Sequence, residues 1–464
     1  MAEAVVAHVA HEGSRRGRRS RRRSAQRPRP ELGLRRNWYQ FSLFTLITLL
    51  IGMTIGVERV ALPPLARGAF GITSVLYTVS FIAAFGAVKS VMNLVSGRLS
   101  DRHGRKALLL AGWGFAVPFA VLIIFAQAWW WVIVANLFLG ASQALTWTMS
   151  VTAKIDLVGP VNRGLAVGID ESAGYVGTGL GGFAAGQLVA AYGLRPAPYV
   201  LALAAVAVGA LVTFGPARET LPWARAEAAG RGGPDAVTER VPKLGRLAAY
   251  MSWHDRGMLA VCQAGLFNKF ADSLVAAFLP LYFLHQGLSL PVVGLLVGVY
   301  AWVWGLGQVV SGAIADRIGR KTPITLGTFL IGLGIVVIVA GGTRALWFAG
   351  ATVMGIGMAL AYPNLITAVG DTAHPCWRGG ALGVYRLWRD GGYAIGPLVL
   401  GAVAMAAGMT TALWTAAAIM GVSGLILLLL LHETEPSRRT REPAWEHEPE
   451  LAGPRHEGRP ALAS

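Results

Sequence analysis

The chemistry available to this sequence lies in charged and polar side chains that interrupt long apolar runs. Glu58, followed by Arg59, sits late in the first run, and Lys89 with Asn93 one turn on sits in the second. Asn136 and Gln143 occupy the fourth, Asp170 and Glu171 the fifth. Asn268, Lys269 and Asp272 occupy the seventh, and Arg386, Arg389 and Asp390 the eleventh. Charge in an apolar span is costly in lipid and faces a cavity or a partner, which makes each of these a site candidate. Glu58, Asp170, Glu171 and Asp272 are the carboxylates available to carry protons; Lys89, Arg386 and Arg389 can hold an anion. A second pattern is a repeated string. "SGRLSDRHGRK" at 96–106 returns 215 positions later as "SGAIADRIGRK" at 311–321, each time between two apolar runs.

Plainer roles compete with each assignment. Lys269 with Asp272 (i, i+3) and Arg386 with Asp390 (i, i+4) can neutralise one another on one helix face. Lys89 is deep enough to snorkel to the surface, and Glu58 with Arg59 can mark an interface. Pairing within span 11 still leaves Arg389, and nothing within span 5 neutralises Asp170 and Glu171. The first half therefore reads as acidic and the second as net basic. No spacing suits a metal site or a catalytic nucleophile, and no nucleotide motif occurs, so neither an enzyme nor a bound cofactor is expected.

Around these residues the composition is that of a membrane protein. Of 464 residues, 54% are hydrophobic and 14% charged, against roughly 25% charged in soluble domains. About 20 apolar residues in helix cross a bilayer, and twelve such runs occur, at about 38–62, 73–96, 107–126, 129–150, 164–190, 197–215, 257–283, 290–311, 323–340, 346–368, 380–404 and 409–431. These limits predict a basic tail at 1–37, six spans within 38–215, a polar linker without an apolar face at 216–256, six spans within 257–431, and a disordered tail at 432–464. The loops at 97–106, 154–163, 312–321 and 371–378 carry ten Lys and Arg, whereas the opposite side carries Arg59, Arg67, Arg195 and Arg344. The positive-inside bias then puts both termini, the linker and both strings in the cytoplasm. Eleven arginines against three glutamates in residues 1–36 suit anionic lipid beside a first span better than nucleic acid. The apolar run after Arg35-Arg36 is too long for a cleaved export signal. Cys262 and Cys376 imply no disulfide framework.

The repeat extends beyond the string. At an offset of 215, Gly140 maps to Gly355, Asp156 to Asp371, Arg163 to Arg378 and Gly164 to Gly379, after which the register is expected to slip by about three. Two six-span halves of like orientation, with loop signatures Gly97, Asp101, Arg102, Gly104, Arg105, Lys106 and Gly312, Asp316, Arg317, Gly319, Arg320, Lys321, resemble the major facilitator superfamily over about residues 38–431. The resemblance implies an all-α polytopic membrane protein, twelve transmembrane helices in two pseudo-symmetric six-helix bundles, with the solute site between halves. It also implies a cytoplasmic gate. Glycines at both bends would hold Asp101 and Asp316 against helix N-termini and let Arg105 and Arg320 reach Asp156 and Asp371, with Arg163 and Arg378 nearby. Such pairs, partly exposed, would be worth about 1 kcal/mol or less each. Span 2 would pack beside span 11, bringing Lys89 to Asp390. The expected function is secondary active transport of a small solute in the inner membrane by a monomer, most like proton-coupled exporters of organic or amphipathic compounds. The alternatives are uptake of an organic anion by proton symport, or a non-transporting sensor or assembly factor. The Gly-rich "GYVGTGLGG" at 174–182 resembles an antiporter stretch but lacks its Gly-Pro, and close helix packing explains it as well.

Overall fold

In lipid only a helix satisfies a single span's backbone internally, and among the described residues every apolar run is helical. The computed structural model describes residues 30–72, 80–232, 242–439 and 441–443. The basic stretch expected to meet anionic lipid, residues 1–29, and most of the C-terminal tail, 444–464, lie outside the described residues. The long helices of the first half are α1 (Trp38–Phe70), α2 (Ser80–His103), α3 (Arg105–Ile124), α4 (Trp129–Val158), α5 (Arg163–Tyr192) and α6 (Ala197–Phe214). Two short helices follow, α7 (Leu221–Gly232) and α8 (Leu244–Ala249). The second half has α9 (Arg256–His285), α10 (Leu290–Ile318), α11 (Lys321–Ala340), α12 (Arg344–Thr372), α13 (Arg378–Ala407) and α14 (Met409–Leu430).

Among the described residues, nine of these helices are long and apolar enough to cross a membrane; α2, α5 and α9 fall outside that set. All three carry candidate site charges. The halves meet along two equivalent seams, α2 against α13 and α5 against α10. Glycine makes the seams close. A Cβ on Gly97 would strike the carbonyl of Gly379, and one on Gly312 that of Gly164. Further along, a Cβ on Gly383 would meet the carbonyl of Asn93, and one on Gly168 that of Gln308. Gly97 and Gly312 are thus interior helix residues at a close approach rather than the loop bends expected. The bends are at Gly104 and Gly319, with φ of +92° and +100°, where only glycine is comfortable.

The seams correct the expected register slip. Asn93 and Gln308, like Gly168 and Gly383, are 215 apart, so the repeat keeps its offset into α5 and α13. The Gly-rich stretch of α5 packs on α1: a Cβ on Gly177 would strike the Leu49 carbonyl, and one on Gly181 the Met53 carbonyl.

The segment between the halves differs from the featureless linker expected. Leu221, Ala224, Glu227 and Ala228 are buried along one side of α7, the i, i+3, i+7 stripe of a packed helix. That side rests on α4 of the first half and on the single 3₁₀ turn Pro375–Trp377 of the second. Lys154 is also displaced from its expected loop. It lies within α4, fully buried, with Nζ 2.7 Å from Asp170 Oδ1.

Because each seam leaves no space for a side chain, Gly97→Ala and Gly312→Ala should hold the halves apart at this end while leaving helix content unchanged by circular dichroism. The buried Ser100, replaced by cysteine, reports this. Its maleimide labelling should rise about tenfold in either glycine variant, the response to about 1.4 kcal/mol between two states. Equal labelling rates would mean that the seam absorbs the added carbon.

Candidate functional site

The end of the molecule bearing the two strings is built from exchanged partners. Asp101, in the last turn of α2, accepts from the backbone N–H groups of Gly379 (3.0 Å) and Gly380 (2.7 Å), the first turn of α13. Asp316, in the last turn of α10, accepts from Gly164 and Leu165 (both 2.8 Å) at the start of α5. Each carboxylate thereby satisfies the orphan donors and positive end of a helix from the other half.

Arginines tie the same helices a second way. Arg105 Nε donates to Asp156 (2.9 Å) and Arg320 Nε to Asp371 (2.9 Å), each within its own half. The other oxygen of each aspartate goes across: Arg378 Nη1 reaches Asp156 at 3.1 Å, and Arg163 Nη1 reaches Asp371 at 2.7 Å. All four arginines and both aspartates are fully buried. The expectation of partly exposed pairs worth about 1 kcal/mol each is therefore wrong, because the close glycine seams exclude water from them.

Three further carboxylates complete this end, and none was foreseen. Glu227 of α7 accepts from Arg163 (2.9 Å) on one oxygen and from Arg378 (2.8 Å) on the other. One residue of the linker thus bridges two equivalent cations. Glu219 accepts from the N–H groups of Arg105 and Lys106 (both 2.9 Å) and caps α3. Glu433 accepts from Arg320 (2.7 Å) and Lys321 (3.2 Å) and caps α11. A signal for that pair existed: Arg-Glu-Thr at 218–220 and His-Glu-Thr at 432–434 stand at nearly the repeat offset. Of the string residues, Lys106 donates to the Phe214 and Ala217 carbonyls, whereas Arg102 and Arg317 are exposed.

Between the halves lies a cavity that opens in part to solvent. The first half lines it with Ile55 and Arg59 from α1, Phe85, Gly86 and Lys89 from α2, Trp147 from α4, and Tyr175 and Thr178 from α5. Lys269, Tyr362, Arg386, Arg389, Asp390 and Tyr393 face them from α9, α12 and α13. Arg386 pairs across the halves with Glu171 (3.0 Å) rather than along its helix with Asp390. Trp147 Nε1 (3.0 Å) and Tyr362 OH (2.7 Å) donate to the other Glu171 oxygen. Asp390 accepts from Asn93 (2.7 Å) and Arg389 (2.9 Å), and Lys89 Nζ stands 3.8 Å away. Thr148 donates to Asn93 Oδ1 (2.7 Å) and fixes that amide. Lys269 pairs with Asp272 one turn along α9.

Other candidates lie away from this cavity. Asp170 is held by Lys154 and accepts from Thr48 (2.7 Å). Asn136 donates to its own helix at Val132, Gln143 to Thr54 of α1, and Asn268 to Met358 Sδ. Glu58 is buried beside Arg59 and makes no hydrogen bond or ion pair among the described residues. The simple contrast of an acidic first half and a basic second half also fails, since the second cross-half contact, Lys89 with Asp390, has the opposite polarity.

Exchanging the charges tests that contact. Lys89→Asp and Asp390→Lys should each lose about 3–5 kcal/mol of stability, read from thermal unfolding, by stranding a charge among apolar neighbours. The double exchange should recover most of that loss. A double variant no better than the worse single one would mean that Lys89 and Asp390 do not stabilise each other.

Comparison with known proteins agrees with this architecture. The family model described as Major Facilitator Superfamily matches residues 44–265 and again 261–462. An uncharacterized MFS-type transporter of Bacillus subtilis, YdeG, is 28% identical over 326 residues, 67% of this chain and 71% of the relative. The multidrug resistance protein MdtG of Proteus mirabilis is 26% identical over 359 residues, 75% of this chain and 83% of the relative. Among solved structures, the human organic anion transporter MFSD10 (TETRAN) superposes with a TM-score of 0.65 at 18% identity, over 83% of this chain and 98% of that one. A family model matched once by each half, over twelve long helices in two equivalent sets, places this chain in the Major Facilitator Superfamily.

Proposed function

We propose that the protein is a secondary active transporter that moves a small organic solute by alternating access, with protons as the driving ion. The observation that carries this reading is the reciprocal exchange at one end of a cavity that both halves line. Asp101 and Asp316 each cap a helix of the opposite half, so the closed end is two equivalent contacts that separate together. On this reading the closed end, both termini and α7 face the cytoplasm. Residues 38–215 and 257–431 are the moving bodies, and the basic N-terminal tail rests on anionic lipid. The protein works in the cytoplasmic membrane as a monomer.

Export of an organic or amphipathic compound by proton antiport is the first direction considered, in line with the name of the Proteus relative. Uptake of an organic anion with protons is the second, and the cations lining the cavity favour it. In either case the proton carrier is sought among Glu58, Asp170, Glu171 and Asp272. Glu58 is the strongest, because the other three are held by Lys154, Arg386 and Lys269.

Proteoliposomes decide both points. Against a library of labelled organic solutes, the protein should concentrate at least one solute when a pH gradient is imposed and only equilibrate it otherwise. Glu58→Gln should keep exchange of that solute and lose uphill accumulation. Accumulation by Glu58→Gln equal to the native rate would remove Glu58 from coupling, and no gradient-dependent movement of any solute would remove the transporter reading.

A further inference from the structure

We infer that the cavity's ligand is an organic anion with a planar apolar body, its charged group taken by Lys89, Arg389 and Arg59. This deepens the transporter reading and rests on it. Charge is the first argument. Five cations line the cavity: Arg59, Lys89, Lys269, Arg386 and Arg389. The carboxylates that touch or adjoin them are four, Glu58, Glu171, Asp272 and Asp390. With all of these ionised, one positive charge remains uncompensated, and a monoanion neutralises it.

The hydrogen bonds show where that charge is free. Glu171 is committed to Arg386, Trp147 and Tyr362, and Asp272 to Lys269. Asp390 receives Asn93 and Arg389 at hydrogen-bond distance, while Lys89 stays at 3.8 Å. Arg389 is 2% exposed; its Nη1 donates to Asp390, and among the described residues Nε and Nη2 have no hydrogen-bond partner. A buried guanidinium edge left without an acceptor is costly, and Nε with Nη2 form the fork that a carboxylate or sulfonate fills with two parallel bonds. The guanidinium is held in place by the Tyr362 ring, 4.0 Å beneath it. Lys89 Nζ makes no hydrogen bond among the described residues and lies 5.5 and 5.6 Å from the Phe85 and Trp147 ring centres. Arg59 is solvent-exposed and on the cavity wall. Aromatic rings line the same cavity and offer flat apolar faces to the rest of the ligand.

Repeat symmetry singles out this place as well. Lys89 and Asp390 occupy the positions that, 215 residues on or back, are Trp304 and Tyr175. Those two pack against each other with ring centres 4.2 Å apart and planes inclined at 50°. One seam closes here with rings and its equivalent with a loose ion pair.

The probe set is 1-naphthoate, neutral 1-naphthamide and cationic 1-naphthylmethylammonium, titrated calorimetrically into the protein in nanodiscs. Naphthoate should bind at least about tenfold more tightly than either analogue. Arg389→Gln should remove about tenfold or more of that affinity, with Arg389→Lys in between and Arg344→Gln, at the start of α12, unchanged. Where Arg389→Gln does not fold, Arg59→Gln, on the exposed wall, carries the same test. Equal binding of naphthoate and naphthamide, or full naphthoate affinity in the folded cation variants, would overturn the anion site. Labelled naphthoate separates the two readings. Binding with this profile but no passage into proteoliposomes would uphold the site and sink the transporter. Passage of other solutes without a preference for naphthoate would do the reverse.

Discussion

An arginine without water must be given acceptors by protein, and four of them at one end of this molecule have no water. Arg105, Arg163, Arg320 and Arg378 are fully buried, and their acceptors come from both halves of the chain. Asp156 and Asp371 each divide their two oxygens between an arginine of the same half and one of the other. Removing one partner from such a cluster costs about 3–5 kcal/mol, although the intact cluster adds little over an apolar replacement. The cluster is therefore poorly suited to raising stability in general. It is well suited to making intermediate arrangements expensive: the halves either meet with every charge matched or part far enough for water to enter. Two discrete states separated by a cooperative step are what alternating access requires.

The frame is symmetric and the chemistry within it is not. Equivalent glycines bring α2 to α13 and α5 to α10 at the same spacing, and equivalent aspartates cap α13 and α5. Deeper in, equivalent positions carry different groups. Glu171 and Arg386 are repeat mates that bond to each other across the axis, and Trp147 and Tyr362 are mates that both donate to Glu171. The seams are symmetric, while unlike residues around the cavity give it both charged and aromatic groups. At the closed end one carboxylate from α7, Glu227, is shared by the repeat mates Arg163 and Arg378.

The twelve helices were legible because lipid enforces a length and a composition that one sequence displays plainly. The doubled string was legible because charge between two spans is rare and its repetition improbable. Burial was not. Lys154 reads as the first residue of a charged loop, yet α4 continues past it and encloses it against Asp170. Gly97 reads as a bend because helices disfavour glycine, and only the carbonyl of Gly379 reveals that close approach is the reason. Glu227 lies in a stretch whose mixed charges and glycines read as a linker, although three small or apolar residues at helical spacing flank it. Within the cavity, sequence alone named Lys89, Arg386, Arg389 and Asp390 but had their partners in doubt, since a partner on another helix leaves no trace in local spacing. Asn136, Gln143, Asn268 and Asp170 read like their cavity neighbours and instead find partners inside one half.

The account depends on buried charge holding the two halves together, and Glu227 is where this can be measured with least disturbance. Spin labels at Arg102→Cys and Arg317→Cys, exposed and outside the network, report the separation of the halves by double electron–electron resonance; the native cysteines are buried. In solute-free nanodiscs the parent protein should show mainly the short distance. Glu227→Gln leaves Arg163 and Arg378 with one negative charge fewer. It should transfer population to the long distance by about tenfold, equivalent to about 1.4 kcal/mol. An unchanged distance distribution in the Glu227→Gln protein would contradict the account, because the halves would then be held by something other than these charges.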